Sequence, residues 1–152
     1  MEIRKVNIKE IERVMEIIND AIRLLGKNSL QWQQGYPNIN TMSNDINNGD
    51  LFGVYDENLL VAVVALVKGT DKNYTEIYEG EWNIPANDND LIIHRIAVKE
   101  EYHHRHVGDL MMKFADDNTA AIGKEGFKSF LYTEEFSFVP PSVKCKSNFY
   151  YP

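Results

Sequence analysis

The chain has 152 residues and a mass of 17.6 kDa, and its 43% hydrophobic and 26% charged residues are typical of a single globular domain. Sixteen basic and 23 acidic side chains give a formal net charge of −7, so the average surface repels phosphate and nucleic acid is not expected as a partner. The single cysteine excludes an intrachain disulfide framework and a four-cysteine zinc site.

The sequence also bears on the cellular location. The first residues mix charges and contain no apolar run of signal-peptide length. The longest apolar run, residues 59–67, is much shorter than the roughly 20 residues of a membrane-spanning helix. These features predict a soluble, cytoplasmic protein with no membrane partner.

The chain opens with a predicted strand and a strongly amphipathic helix. Residues 2–6 favour a strand. Apolar side chains then recur at helical spacing over residues 8–25, after the capping-box pair Asn7 and Glu10 and before the stop signal Gly26.

A loop, a short helix and a hairpin are predicted next. In the loop, Trp32 and Tyr36 are expected to pack over the domain or line a pocket wall. Residues 41–48 predict a second helix. Two apolar, β-branched runs at residues 51–55 and 59–67 predict an antiparallel pair of strands.

The second half predicts a strand, a helix and another strand. Residues 69–90 are polar and acidic and predict a long loop, whereas residues 91–98 predict a strand. A helical pattern begins near Val107 and closes at Gly123, and residues 127–132 predict a strand after it. Such a βαβ unit implies parallel strands. The predicted fold is therefore α/β, with a central mixed sheet flanked by helices.

The join between the strand and the helix carries the most chemical information, because a helix amino terminus there can bind pyrophosphate. Residues 94–115 read HRIAVKEEYHHRHVGDLMMKFA. This segment resembles the GNAT superfamily of acetyl-CoA-dependent N-acetyltransferases, whose loop has Arg or Gln, two variable residues, Gly, a variable residue, then Gly or Ala. Gly108 matches the last position. His103 and His106 replace the usual Arg or Gln and the first Gly, and histidine adopts positive φ less readily than glycine.

The resemblance follows the order of predicted elements over residues 1–133, which would form an acyl-CoA N-acyltransferase-like domain. Residues 134–152 are proline-broken and predict an atypical or truncated carboxyl-terminal tail packed on the same domain. The resemblance implies transfer of an acetyl group from acetyl-CoA to a primary amine of a small molecule or peptide. The alternative is a non-catalytic CoA-binding or protein-interaction module derived from that fold. A homodimer of this chain is kept as a further hypothesis.

The resemblance also implies which residues hold the coenzyme. They are Ile96, Ala97, Val98, His103, His104, Arg105, His106, Val107, Gly108 and Asp109. The backbone of the first three would pair with pantetheine and polarise the thioester carbonyl. Asp109 would lie in the first turn of the helix, where a carboxylate suits the dipole but could oppose a pyrophosphate.

Two residues are candidate catalytic groups. Glu81 belongs to the acidic segment that could attract a cationic amine, and His94 lies in the strand with an imidazole suited to proton transfer near neutral pH. Their ordinary alternatives are a solvated acidic face and a hydrogen-bonded strand histidine. Three loop histidines could ligate a transition metal, but they lack a supporting carboxylate at a recognisable spacing, so no metal site is expected.

Overall fold

The computed structural model describes residues 1–25, 32, 34–69 and 91–121. The predicted strand at 127–132, the tail and Glu81 lie outside these residues. The described elements, in chain order, are β1 (Glu2–Lys5), α1 (Ile11–Leu25), α2 (Ile39–Asn48), β2 (Leu51–Asp56), β3 (Leu59–Lys68), β4 (Leu91–Val98) and α3 (Val107–Ala121).

The four strands form one sheet in the order β1-β2-β3-β4, and each neighbouring pair is antiparallel. This confirms the α/β class, the first strand, the hairpin and the strand at 91–98. The parallel strand that would make the sheet mixed is predicted beyond the described residues.

The helix boundaries follow from local hydrogen bonding. The predicted capping box forms, since the Asn7 side chain accepts the Lys9 N–H at 3.0 Å and Glu10 accepts the Asn7 N–H at 3.2 Å. The first turn, Ile8–Glu10, is a 3-10 helix that leads into α1. Helix α2 begins two residues earlier than predicted because Asn38 caps it, with its side chain accepting the Thr41 N–H at 3.0 Å.

The sheet is covered on both faces. Helices α1 and α2 pack on one face, and the buried side chains of that layer include Val14, Ile17, Ile18, Met42, Tyr55, Leu60 and Val63. Helix α3 packs on the other face, and the buried side chains there include Val54, Val61, Val64, Leu66, Ile93, Met111 and Met112. Gly53 of β2 lies in tight packing, where an added Cβ would collide with the Leu60 side chain.

Two further observations concern the outer strands of the sheet and the length of the helices. In the described residues, β1 and β4 are the outer strands, so β4 has one described neighbour. None of the described helices has the length and apolar character needed to cross a membrane.

Candidate functional site

A β-bulge interrupts β4 in the middle of the strand. Ala65 of β3 pairs with His94, and Val63 pairs with Ala97, so Arg95 and Ile96 both lie opposite the single residue Val64. Arg95 has a φ of 49°, in the left-handed region that non-glycine residues avoid at a cost of about 1–2 kcal/mol. The bulge therefore bends the strand and removes backbone groups from the regular ladder.

The Arg95 side chain is held by a buried carboxylate. Its Nε donates to Oδ2 of Asp45 at 2.6 Å, and its Nη2 donates to Oδ1 at 2.8 Å. Both side chains are about one-tenth exposed. Burial acts to lower the pKa of Arg95, but the hydrogen bonds and charge of Asp45 outweigh it, so the pKa is raised. This bidentate pair fastens β4 to helix α2.

The same guanidinium also reaches the segment before α2. Its Nη1 donates to the hydroxyl oxygen of Tyr36 at 2.8 Å. Tyr36 is 41% exposed and lies at the surface, where its hydroxyl accepts from Arg95. Trp32, by contrast, packs against the layer beneath α1 and α2, as expected.

The loop between β4 and α3 has two residues in the left-handed conformation. After the 3-10 turn Glu100–Tyr102, His104 has a φ of 60° and His106 a φ of 59°. His106 thus adopts the left-handed conformation that a glycine would adopt more readily. A histidine at this position therefore does not prevent the left-handed turn before α3.

Helix α3 begins immediately after this loop. Its first described backbone bond runs from the Leu110 N–H to the His106 carbonyl oxygen at 3.1 Å. The N–H groups of a first turn have no carbonyl one turn earlier, so such groups are available to an anion. Asp109 lies in this turn, as expected, and its Oδ2 accepts from Nδ1 of His106 at 2.8 Å.

The other loop side chains contact the end of β4, the Tyr102 ring and β2. Nε2 of His103 donates to the carbonyl oxygen of Val98 at 3.1 Å, which ties the loop to the end of β4. The Arg105 guanidinium lies 4.8 Å from the Tyr102 ring centroid, and the Tyr102 hydroxyl donates to Asp56 at 3.0 Å. The hydrogen bond to Asp56 raises the pKa of Tyr102.

All ten predicted coenzyme residues lie in the described part of the chain, between Ile96 and Asp109. Ile96 lies in the bulge, Ala97 and Val98 follow it, and residues 103–109 form the end of the loop and the first turn of α3. Of the two catalytic candidates, His94 is half-buried and directly precedes Arg95, whereas Glu81 is outside the described residues. No role for Arg95 or Asp45 was predicted from the sequence. They are 50 positions apart, and no local pattern links them.

Two further features of the described residues bear on ligands. Residues 1–25, 32, 34–69 and 91–121 contain no group of three His, Cys, Asp or Glu side chains placed to hold a metal ion. A groove of about 410 Å³ beside the β2–β3 turn is lined by charged residues of both signs and by none of the predicted site residues. Its lining comprises Arg13, Glu16, Asp56, Glu57, Asn58, Leu59, Leu60 and Lys99.

Comparison with solved structures shows the class of fold. An acetyltransferase of the GNAT family from Streptococcus agalactiae aligns with a TM-score of 0.70 at 29% identity, over 84% of this chain and 73% of that chain. The PaiA N-acetyltransferase of Thermoplasma acidophilum, determined with coenzyme A, aligns with a TM-score of 0.61 at 18% identity, over 88% and 80% of the two chains.

A third structure covers more of the sequence. A Clostridium acetobutylicum protein described as a predicted acetyltransferase, determined with acetyl-CoA, aligns with a TM-score of 0.60 at 11% identity, over 97% of this chain and 95% of that chain. No family model and no curated protein matches the sequence. The fold is that of the acetyltransferases, and the chain belongs to the GNAT superfamily.

Proposed function

We propose that this protein is an acetyl-CoA-dependent N-acetyltransferase that acts in the cytoplasm on a primary amine of a small molecule or peptide. The observation that carries the proposal is the continuous segment formed by the β4 bulge, the left-handed loop and the first turn of α3. Neighbours with this fold were determined with coenzyme A or acetyl-CoA. We further propose that residues 1–133 form the acyltransferase domain and that residues 134–152 pack on it.

The residues present fit a coenzyme pyrophosphate. The loop keeps its left-handed backbone at His104 and His106, so the turn before α3 does not depend on glycine. Asp109 is the one carboxylate in the first turn, and its bond to His106 directs that negative charge toward an imidazole. Backbone N–H groups and Arg105 would hold the phosphates, and side-chain identity matters less for backbone donors.

The bulge supplies the groups that the chemical step needs. When bound, acetyl-CoA supplies the thioester from which the acetyl group is transferred. The backbone of Ile96, Ala97 and Val98 would orient pantetheine and donate a hydrogen bond to the thioester carbonyl oxygen. Because Ile96 already departs from the β3 ladder at the bulge, its backbone donor needs no rearrangement at the moment of reaction.

A proton must leave the attacking amine. His94 adjoins the bulge and is half-buried, so its imidazole is a candidate to accept this proton directly or through water. Glu81 remains the second candidate. The variants His94→Gln and Glu81→Gln distinguish the two candidates. Replacing the residue that accepts the proton lowers kcat by about 10²-fold or more, whereas replacing the other residue does not.

Calorimetric titration of acetyl-CoA into the protein tests the proposal. We expect a micromolar Kd that weakens at least 30-fold in Gly108→Arg, because an arginine side chain at the first turn blocks approach of the pyrophosphate. Lys113→Ala is the matched control, since Lys113 forms an exposed pair with Asp117 further along α3 and should leave Kd unchanged. Absence of binding at millimolar acetyl-CoA would contradict the proposal.

Turnover then decides between the enzyme and its alternative. An amine panel with release of coenzyme A as the readout should identify at least one acetylated amine. Micromolar binding without turnover of any amine would favour a non-catalytic CoA-binding module. That alternative is motivated by the substitutions at His103 and His106.

A further inference from the structure

We propose that Arg95 is a positioning residue for acetyl transfer, and that its side chain keeps the β4 bulge in the conformation the thioester site requires. This inference rests on the proposed function. Arg95 is the residue at which β4 leaves its register with β3, and it has a φ of 49°. A non-glycine residue stays in that region only where surrounding contacts hold it there.

Three directional hydrogen bonds hold the Arg95 side chain, and the two to Asp45 are largely buried. Two parallel hydrogen bonds to Asp45, at 2.6 and 2.8 Å, fix both the position and the plane of the guanidinium. A third bond, at 2.8 Å, goes to the hydroxyl of Tyr36. Because the guanidinium cannot rotate without breaking these bonds, the backbone from which it projects is also restrained.

Backbone hydrogen bonds connect Asp45, the residue that holds Arg95, to strand β3. Asp45 lies in the last turns of α2, and its carbonyl oxygen accepts the N–H groups of Gly49 and Asp50, the latter at 2.9 Å. The carbonyl oxygen of Asp50 in turn accepts the Leu66 N–H of β3 at 2.9 Å. Helix α2 is thus bonded to the strand next to the bulge, and Asp45 presents a fixed carboxylate to Arg95.

The position of Arg95 gives this restraint a consequence for chemistry. It directly precedes Ile96, the first of the three residues whose backbone is proposed to orient the thioester. A change of φ at residue 95 rotates the following peptide group, and a displacement of about 1 Å in a reacting geometry can lower a rate by about 10²-fold. The side chain acts through the backbone and need not touch the substrate.

Two double variants isolate this role. One combines Asp45→Asn with Arg95→Ala, and the other combines Asp45→Asn with Arg95→Gly. Each removes the ion pair without leaving a lone buried carboxylate. They differ by one methyl group, and glycine takes positive φ without cost whereas alanine does not. We expect kcat of the alanine version to fall at least tenfold below wild type. We expect kcat of the glycine version to be at least fivefold higher than that of the alanine version. Kd for acetyl-CoA should stay within threefold of wild type in both.

A readout independent of activity accompanies the kinetics. The backbone amide chemical shifts of Ile96 and Ala97 should stay close to wild type in the glycine version and move in the alanine version. If wild type neither binds nor turns over acetyl-CoA, the proposed function fails and so does the catalytic part of this inference. The amide shifts then still decide whether the side chain holds the bulge.

A milder variant covers the case in which the double variants do not fold. Tyr36→Phe removes only the exposed hydroxyl that accepts from Arg95, and we expect kcat to fall about two- to fivefold with Kd unchanged. Lys113→Ala should leave kcat unchanged. Equal kcat in the alanine and glycine versions, or wild-type kcat in Tyr36→Phe, would overturn the inference.

Discussion

The polar groups beneath helices α1 and α2 and those in the loop before α3 are held in different ways. On the α1 and α2 face, Asp45 is 7% exposed and binds Arg95 through two hydrogen bonds, and the Tyr55 hydroxyl donates to Glu10 at 2.9 Å. In the loop before α3, the His106 side chain that binds Asp109 is 77% exposed. The buried pair of Arg95 and Asp45 lies at the bulge, whereas the loop has an exposed pair and a left-handed backbone that histidines adopt.

The largest expected effect comes from breaking the buried pair. Asp45→Ala leaves the Arg95 guanidinium buried without its carboxylate, and we expect the free energy of unfolding to fall by about 3–5 kcal/mol. Chemical denaturation measures this loss. Asp117→Ala, which breaks an exposed pair with Lys113, should cost less than about 0.5 kcal/mol. A loss below about 1 kcal/mol in Asp45→Ala would show that the two kinds of pair are equivalent.

The hydroxyl of Tyr55 gives a pH test of the same buried face. Burial, followed by the hydrogen bond to Glu10, raises the pKa of Tyr55 from 10.0 to about 12. Between these values the unfolded chain ionises this group while the folded protein keeps its proton, so stability falls as pH rises. We expect Tyr55→Phe to be about 1–2 kcal/mol less stable than wild type at pH 7.

The measurement for Tyr55 is the difference in unfolding free energy between wild type and Tyr55→Phe from pH 7 to pH 12. This difference should be constant to about pH 10 and shrink above it, because the phenylalanine variant lacks the ionising group. A difference that stays constant to pH 12 would contradict the raised pKa.

A smaller effect is expected in the exposed loop. His106→Gly and His106→Ala both remove the bond to Asp109, but only glycine relieves the left-handed backbone at φ 59°. The glycine variant should be more stable than the alanine variant by about 1 kcal/mol, measured by thermal unfolding of the two proteins side by side. Equal stabilities would show that this backbone position carries no strain.

Among the residues of the proposed site, Arg105 has the smallest expected effect on stability. Its guanidinium lies over the Tyr102 ring in an exposed position, so Arg105→Ala should change the unfolding free energy by less than about 1 kcal/mol. Loss of one phosphate-binding cation should weaken acetyl-CoA binding about three- to tenfold and reduce its dependence on salt. Calorimetry at two salt concentrations measures both. An unchanged Kd would remove Arg105 from the coenzyme site.

Much of the fold could be predicted because its signals are local. The apolar spacing in α1 and the pair Asn7 and Glu10 each act within one or two turns, and the structure confirms both. The site was predictable in part. The motif in residues 94–115 located the strand end and the loop but carried no information on which distant side chains hold them.

The sequence by itself determined the α/β class, the strand at 91–98 and the helix amino terminus that follows it, because periodicity and capping are encoded within a few neighbouring residues. Only the tertiary structure decided the bulge at Arg95 and its ties to Asp45 and Tyr36, which lie 50 and 59 positions away. Such contacts depend on the packing of α2 against the sheet. A buried ion pair forms where folding brings the two charges together, and no local pattern specifies it.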